Sequence, residues 1–211
     1  TGRRPKEFYI PRFRNVGGKE KNVDFLRGYG YQGGAGRGNW AEATAEYSYG
    51  SDFKNAILKP GKWSLGMGGF GEVLPYHENR MYLNFDKIDQ FGLPKIVFDA
   101  EFKENEKKMK EDWKVQAAEM LENAGCKDVN IFDSNAPIGK GIHEMGTARM
   151  GHNPKTSVLN KHNQVHSVPN VYMTDGAFMT SSGTQNPSLT YMAFTARAVN
   201  HAVSELKKMN L

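Results

Sequence analysis

Cysteine, long apolar runs and one-signed charge blocks are all scarce in this sequence, and each shortage removes a class of protein. Cys126 is the only cysteine among 211 residues, which excludes an internal disulfide framework and any multi-thiolate metal site. No apolar stretch approaches the roughly 18–20 residues that a helix needs to cross a bilayer, so no membrane span is expected. The net charge is +5, from 28 Lys and Arg against 23 Asp and Glu. That excess is not gathered on one element: the dense run from Lys103 to Lys114 interleaves lysines with Glu and Asp. It reads as a solvated helix face rather than a nucleic-acid footprint, and no nucleic-acid partner is expected. The chain opens Thr1-Gly2-Arg3-Arg4-Pro5, with neither Met nor an apolar signal core. It is therefore expected to be a piece of something longer, and the sequence assigns no compartment.

What the sequence does have is aromatic side chains and glycine: 12 Phe, 9 Tyr, 3 Trp and 23 Gly. The aromatics supply enough buried area for a genuine core and exclude wholesale disorder. Glycine and aromatics concentrate in residues 1–75. Gly28 to Gly38 carries six glycines, followed by Trp40, Tyr47 and then Lys62-Trp63-Ser64-Leu65-Gly66-Met67-Gly68. Such segments are expected to be strands and loops that pass close to something flat or bulky. Met81-Tyr82-Leu83-Asn84-Phe85 alternates as a half-buried strand does, Phe91-Gly92-Leu93-Pro94 makes a turn, and Lys95 to Phe98 gives a second strand. Met109, Trp113, Gln116 or Ala117, Met120, Leu121 and Ala124 then recur at helical spacing over about 103–124, and Gly125 supplies the stop. A short strand is expected over Val171–Thr174. A final helix should open at Asn186-Pro187, Asn as cap and Pro as first helical residue, with Leu189, Met192, Ala193, Ala196, Val199, Val203 and Leu206 as its apolar stripe. The expected fold is α+β: a mixed or antiparallel sheet with a helix on one face, plus a C-terminal strand–helix segment.

Several spellings of chemistry do not survive inspection. Gly28-x-Gly30-x-x-Gly33 and Gly66-x-Gly68-x-x-Gly71 match a dinucleotide fingerprint by letter, but no helix follows closely enough for its first amides to receive a pyrophosphate. His162 and His166 stand four apart beside Val168-Pro169-Asn170, a loop or turn where that spacing does not converge on a metal, and no metal site is expected. There is no Gly-x-Ser-x-Gly nucleophile elbow.

The segment Ile142-His143-Glu144-Met145-Gly146-Thr147-Ala148-Arg149-Met150-Gly151 differs, setting a histidine among small residues that let a flat group approach. With Thr174-Asp175-Gly176-Ala177 and Thr184-Gln185-Asn186-Pro187-Ser188-Leu189-Thr190 downstream, it resembles the C-terminal region of the glucose–methanol–choline (GMC) family of FAD-dependent oxidoreductases. In that family a His-x-x-Gly-Thr segment carries the catalytic histidine, matching His143, Gly146 and Thr147. A second His or Asn about 40 residues later matches Asn186, and the Asn-Pro-Ser-Leu-Thr spelling is similar to the branch containing pyranose oxidase. The specific likeness covers about residues 136–211, and a weaker one extends upstream through the segments 72–80 and 89–94.

The resemblance implies a division into a substrate-binding domain over 1–135 and a catalytic, FAD-contacting segment over 136–211, with the N-terminal FAD-binding half as a missing partner. It implies His143 as base and Asn186 as its partner on a small alcohol, which could be a sugar or polyol. It implies Asp175 and Gly176 near the phosphate–ribityl part of FAD, and Pro187 and Ser188 near the flavin ring. Both motifs would have to face one flavin edge, on one surface. The isolated chain is expected to be inactive and without stable FAD, and the edge of the strand at 171–174 to invite pairing with a second copy of the chain. The competing expectation is a non-catalytic carbohydrate-binding or interaction module, with Trp40 and Trp63 stacking on sugar rings.

Overall fold

The computed structural model describes residues 7–17, 23–37, 49–58 and 61–211, without the side chain of Ala56. Gly38, Trp40, Tyr47 and the N-terminal Thr1 to Pro5 lie outside the described residues. The chain separates into two compact units, one formed by 1–71 with 108–132 and the other by 72–107 with 133–211.

The first unit is built on glycine. Strands β1 (Glu7–Ile10), β2 (Tyr29–Arg37) and β3 (Trp63–Gly71) form an antiparallel sheet in the order β1-β2-β3, with a short helix α1 (Ser51–Leu58) before β3. Of the glycines singled out from the sequence, Gly33 lies against the Phe8 ring while Gly36 and Gly66 face open space; the glycines that accommodate a large flat ring are Gly69 and Gly71, under Trp113 on helix α2 (Glu104–Asn123). A Cβ at Gly69 would lie 2.9 Å from Trp113 Cδ2, and one at Gly71 would lie 3.0 Å from Met109 Cε. Gly69 and Gly71 stand two apart and so share a face of β3, where bare backbone makes room for the indole. The charged run of the same helix brings a correction. Part of the Lys103–Lys114 charge is not solvated: Asp112 accepts from Arg14 Nε and Nη2 at 2.9 Å each and from the Tyr29 hydroxyl at 2.5 Å. Tyr29 and Tyr31 are fully buried, Tyr29 meets Trp113 edge-on at 6.0 Å, and the Tyr31 hydroxyl donates to the Trp113 carbonyl. Burial pushes the Tyr31 phenol up to about 12. Burial raises Tyr29 further, with the Asp112 bond adding to it, so both phenols stay protonated donors.

In the second unit β4 (Arg80–Ile88) and β5 (Pro94–Asp99) form the expected antiparallel hairpin. The half-buried pattern read for β4 is not observed. The strand is exposed on both faces, with Phe85 at 76% and Phe98 on β5 at 73%. Two strands alone have no layer to bury against. The first turn of α2 is anchored here: Glu106 is buried and accepts from the amides of Leu74 and Lys103 and from the Tyr76 hydroxyl. This is a second charge that the solvated-face reading missed.

Strands β6 (Gln164–Val165) and β7 (Val168–Tyr172) form a small antiparallel pair. The strand thus begins earlier than expected and takes in Pro169, which a register shift in the pair accommodates. Among the described residues β7 is hydrogen-bonded along one edge only. Asn163 makes the turn into β6, with φ +62° and no exposed surface. Every polar group of its side chain has work: Nδ2 donates to the Met173 carbonyl at 3.0 Å, and Oδ1 accepts from Arg197 at 3.2 Å. Arg197 belongs to the last helix, α3 (Ser188–Lys207), and stacks on Phe194.

The face that α3 buries is not the one expected. Tyr191, Phe194 and Ala198 pack inward, with Phe194 stacked on the fully buried Phe178 at 4.8 Å. Leu189 is 77% exposed, Met192 68% and Leu206 61%, and Val199 and Val203 are also exposed. The apolar residues of α3 cover more than one face of the helix, so spacing alone does not select the inner one.

Further along α3, the rings of His162 and His201 stack at 3.8 Å and 12°, and His201 Nδ1 shares a hydrogen bond with the Tyr172 hydroxyl at 3.0 Å. Burial, then the nearby His201, Lys161 and Arg197, hold His162 below its ordinary 6.5, with Glu205 opposing. Below 6.5 the unfolded chain therefore takes up a proton that the folded chain resists, and folding stability falls as pH falls through this window. In urea titrations between pH 5 and 7, His162→Gln is expected to flatten that slope. An unchanged slope would remove His162 as its cause.

Candidate active site

All six residues singled out from the sequence lie in the second unit. His143 is half-buried; Asp175, Asn186 and Ser188 are exposed; Gly176 and Pro187 are buried. The segment that follows His143 is tied to the segment that follows Asp175 by backbone hydrogen bonds. Ala148 N–H donates to the Ala177 carbonyl at 3.0 Å, and Met150 N–H to the Phe178 carbonyl at 2.9 Å. Gly146 turns the chain between them at φ +85°, where a Cβ would sit 3.4 Å from the Met179 carbonyl oxygen. The glycine of the His-x-x-Gly-Thr spelling thus answers a backbone requirement.

The chain around His143 is under tension. Ile142 has φ +55° although it is β-branched, and its side chain is 86% exposed. A left-handed β-branched residue costs about 1–3 kcal/mol, and such strain persists only where its surroundings hold it. On one side the Gly141 amide donates to the Glu144 carboxylate at 2.8 Å. On the other, the Tyr191 hydroxyl donates to Met145 Sδ at 3.5 Å.

Asp175 is extended and caps the 3-10 turn Gly176–Phe178, one carboxylate oxygen accepting from Ala177 N–H at 2.8 Å. Gly176 has no room for a side chain: a Cβ there would lie 2.7 Å from the Tyr191 hydroxyl and 2.8 Å from Met145 Sδ. The expected Asn186 cap is not formed. Pro187 occupies the capping position of α3, with φ −92° and ψ 7°, and no side chain caps the helix. Proline disfavours helical backbone in the residue before it, which keeps Asn186 outside the helix. The Asn186 amide is therefore not spent on a cap, and the 20-residue helix starts at a residue whose side chain caps none of its first amides.

That donor set fits an electron-rich, partly anionic ring edge such as that of a flavin. Uncapped N-terminal amides carry the positive end of the helix dipole, and Asn186 and Ser188 stand exposed beside them. Among the described residues no cluster of three metal-ligating side chains occurs, and no helix is long and apolar enough to cross a membrane. A recess elsewhere on this unit is lined by Pro154, Ser157, Val158, Val165, His166 and Ser167. Its Ser157 hydroxyl lies 2.8 Å from the Asn153 carbonyl oxygen and 3.1 Å from His166 Nε2. Trp63, on the first unit, carries the Arg37 guanidinium 5.5 Å over its ring, which occupies one face of a surface that sugar stacking would need.

Tyr191, Met145, Glu144 and Ile142 were not singled out by motif. The signal that finds them is spatial, in the strained backbone beside His143 and in the space missing at Gly176.

Residues 75–195 match the family model described as GMC oxidoreductase. The chain is similar to a 2-methyl-1,2-propanediol dehydrogenase of Mycolicibacterium austroafricanum, 38% identical over 132 residues, covering 61% of this chain and 23% of that protein. It is similar to a paromamine 6'-oxidase of Streptomyces fradiae, 32% identical over 132 residues, covering 63% and 24%. The large subunit of a fructose dehydrogenase of Gluconobacter japonicus is 29% identical over 137 residues, covering 65% and 25%. The chain thus spans about a quarter of the length of these relatives.

Proposed function

This chain belongs to the GMC oxidoreductase family, and from that footing we propose that it is the substrate-binding and catalytic C-terminal part of an FAD-dependent enzyme that oxidises the CH–OH group of a small alcohol, sugar or polyol. One observation carries the reading. Three segments far apart in sequence, those of His143, Asp175 and the start of α3, are tied together by the Ala148–Ala177 and Met150–Phe178 bonds and by the Tyr191 contact to Met145 and Gly176.

In this reading the functional division falls at residue 135, with the substrate-binding domain over 1–135 and the catalytic, FAD-contacting segment over 136–211. Asp175 and Gly176 would hold the phosphate–ribityl part of FAD, and Pro187 and Ser188 would lie toward its ring. FAD, when bound, supplies the acceptor for the hydride that leaves the carbinol carbon. His143 takes the hydroxyl proton, a task suited to an imidazole because its ordinary pKa lies near working pH. Asn186 donates its amide to the alcohol oxygen and orients it without titrating. The first amides of α3 favour negative charge on the adjoining ring edge.

The exposed apolar surfaces support the same reading. The outer stripe of α3, both faces of the β4–β5 hairpin and the second edge of β7 are surfaces that an FAD-binding half would cover. The test is reconstitution. The 211-residue chain alone is expected to hold no FAD. Joined to its N-terminal remainder, it is expected to purify with flavin absorbance that bleaches when an alcohol or sugar is added without oxygen. A complete polypeptide that folds yet binds no flavin would defeat the proposal.

A further inference from the structure

We propose that Tyr191 is the positioning residue of the catalytic loop: its hydroxyl pins Met145 against Gly176 and thereby fixes His143, two residues upstream. The inference rests on the reading of His143 as the base. The loop from Gly139 to Glu144 has left-handed backbone at Gly139 and at Ile142, and strain at Ile142 favours relaxation of the whole turn. Upstream of His143 no strand or helix precedes the loop, only irregular backbone. Downstream, Met145 is a flexible thioether that holds a place only if something holds it.

Tyr191 is built to do so. It sits in the first turn of α3, its amide donating to the Pro187 carbonyl at 3.1 Å, and its ring meets the buried Phe178 edge-on at 6.4 Å. Its hydroxyl reaches Met145 Sδ at 3.5 Å. The space a side chain would need at Gly176 is closed by that hydroxyl and that sulfur together, so the three groups meet at one point. Burial, with the charges of Asp175 and Glu144 beside it, keeps the phenol protonated and able to donate. Phenylalanine would preserve the ring contacts and lose only the pin.

The contact is read first in the 211-residue chain by NMR, with labelled methionine methyls and histidine rings. Tyr191→Phe is expected to move the Met145 methyl signal toward that of a freely rotating side chain and to shift the His143 ring signal, with the thermal midpoint nearly unchanged. Met145→Leu should shift His143 likewise, and adding Tyr191→Phe to it should change nothing more. In the complete flavoprotein, Tyr191→Phe is expected to lower the limiting rate of flavin reduction about 10-fold through misplacement, with substrate affinity little altered. That loss should vanish in a His143→Ala background. A His143 ring signal indifferent to Tyr191→Phe, or a full rate loss persisting without His143, overturns the positioning role. If His143→Ala alone leaves the rate unchanged, the reading of His143 as base fails, while the NMR result still judges the contact by itself.

Discussion

Replacing His143 by alanine in the complete flavoprotein is expected to slow flavin reduction by alcohol about 10²- to 10⁴-fold near neutral pH, the usual cost of removing a general base. FAD content and the thermal midpoint should stay close to wild type, because His143 is half-buried and lies outside both clusters of buried apolar residues. Much of the loss should return at high pH, where a growing fraction of the substrate is alkoxide and needs no base. Asn186→Ala provides the contrast. It removes an orienting donor rather than a proton acceptor, so its rate should fall at every pH with little recovery. Helix stability should not suffer, since Asn186 does not cap α3. The measurement is anaerobic stopped-flow reduction across pH for both variants and the parent. A His143→Ala enzyme reducing flavin at the parent rate near pH 7 would make the histidine structural and end the mechanism proposed for it.

How much of this was legible beforehand depends on which physical signal each feature leaves in the sequence. Helix α2 and its inner stripe were readable because Met109, Trp113, Ala117 and Met120 repeat at helical spacing and all reach the core. The sheet that receives them was harder to read, since its seat is made of absent side chains. Gly69 and Gly71 look like loop residues until Trp113 is placed over them. Periodicity failed on α3 for the opposite reason, an excess of apolar positions. With Leu189 and Met192 on one side and Tyr191 and Phe194 on the other, two apolar arcs compete and the spacing does not say which is buried. The site showed the same division. His143, Gly146 and Asn186 were visible as a spelling at a spacing, whereas Tyr191 was invisible because its role is set by what it touches 46 residues away in sequence. Buried charge was hidden as well: Glu106 and Asp112 sit in a run of mixed Lys and Glu, and only their partners on distant segments single them out.

Asp112 carries the largest expected effect on stability. Its carboxylate is about three-quarters withdrawn from solvent, as is the Arg14 side chain it binds through two parallel 2.9 Å hydrogen bonds. It also accepts from Tyr29, a ring with no exposed surface at the centre of the first unit's core. Burial alone would raise its pKa, but the bonds from Arg14 and then Tyr29 outweigh burial and hold the carboxyl below its ordinary value. Asp112→Ala therefore does more than delete an ion pair. It removes one acceptor from a guanidinium and from a buried phenol at once, and neither can shed its polarity, because arginine stays charged and burial keeps Tyr29 protonated. Stranding one partner of a buried pair costs about 3–5 kcal/mol, and the residual exposure here points to the lower end, about 3 kcal/mol. Asp112→Asn should cost less, since its amide oxygen still accepts from Tyr29. Tyr29→Phe in the Asp112→Ala background should recover part of the loss by removing the stranded hydroxyl. The sign with pH follows from the lowered pKa. The stabilisation is complete above the ordinary carboxyl range and is lost as pH falls through the folded-state value, so the parent and Asp112→Ala should converge in strong acid. Urea denaturation of the chain from pH 7 down to about pH 2 measures all of this. Equal stability of parent and Asp112→Ala at pH 7 would show that Arg14 and Tyr29 find other partners when the carboxylate is gone, and that the core of the first unit is held by Trp113 on its glycine seat rather than by charge.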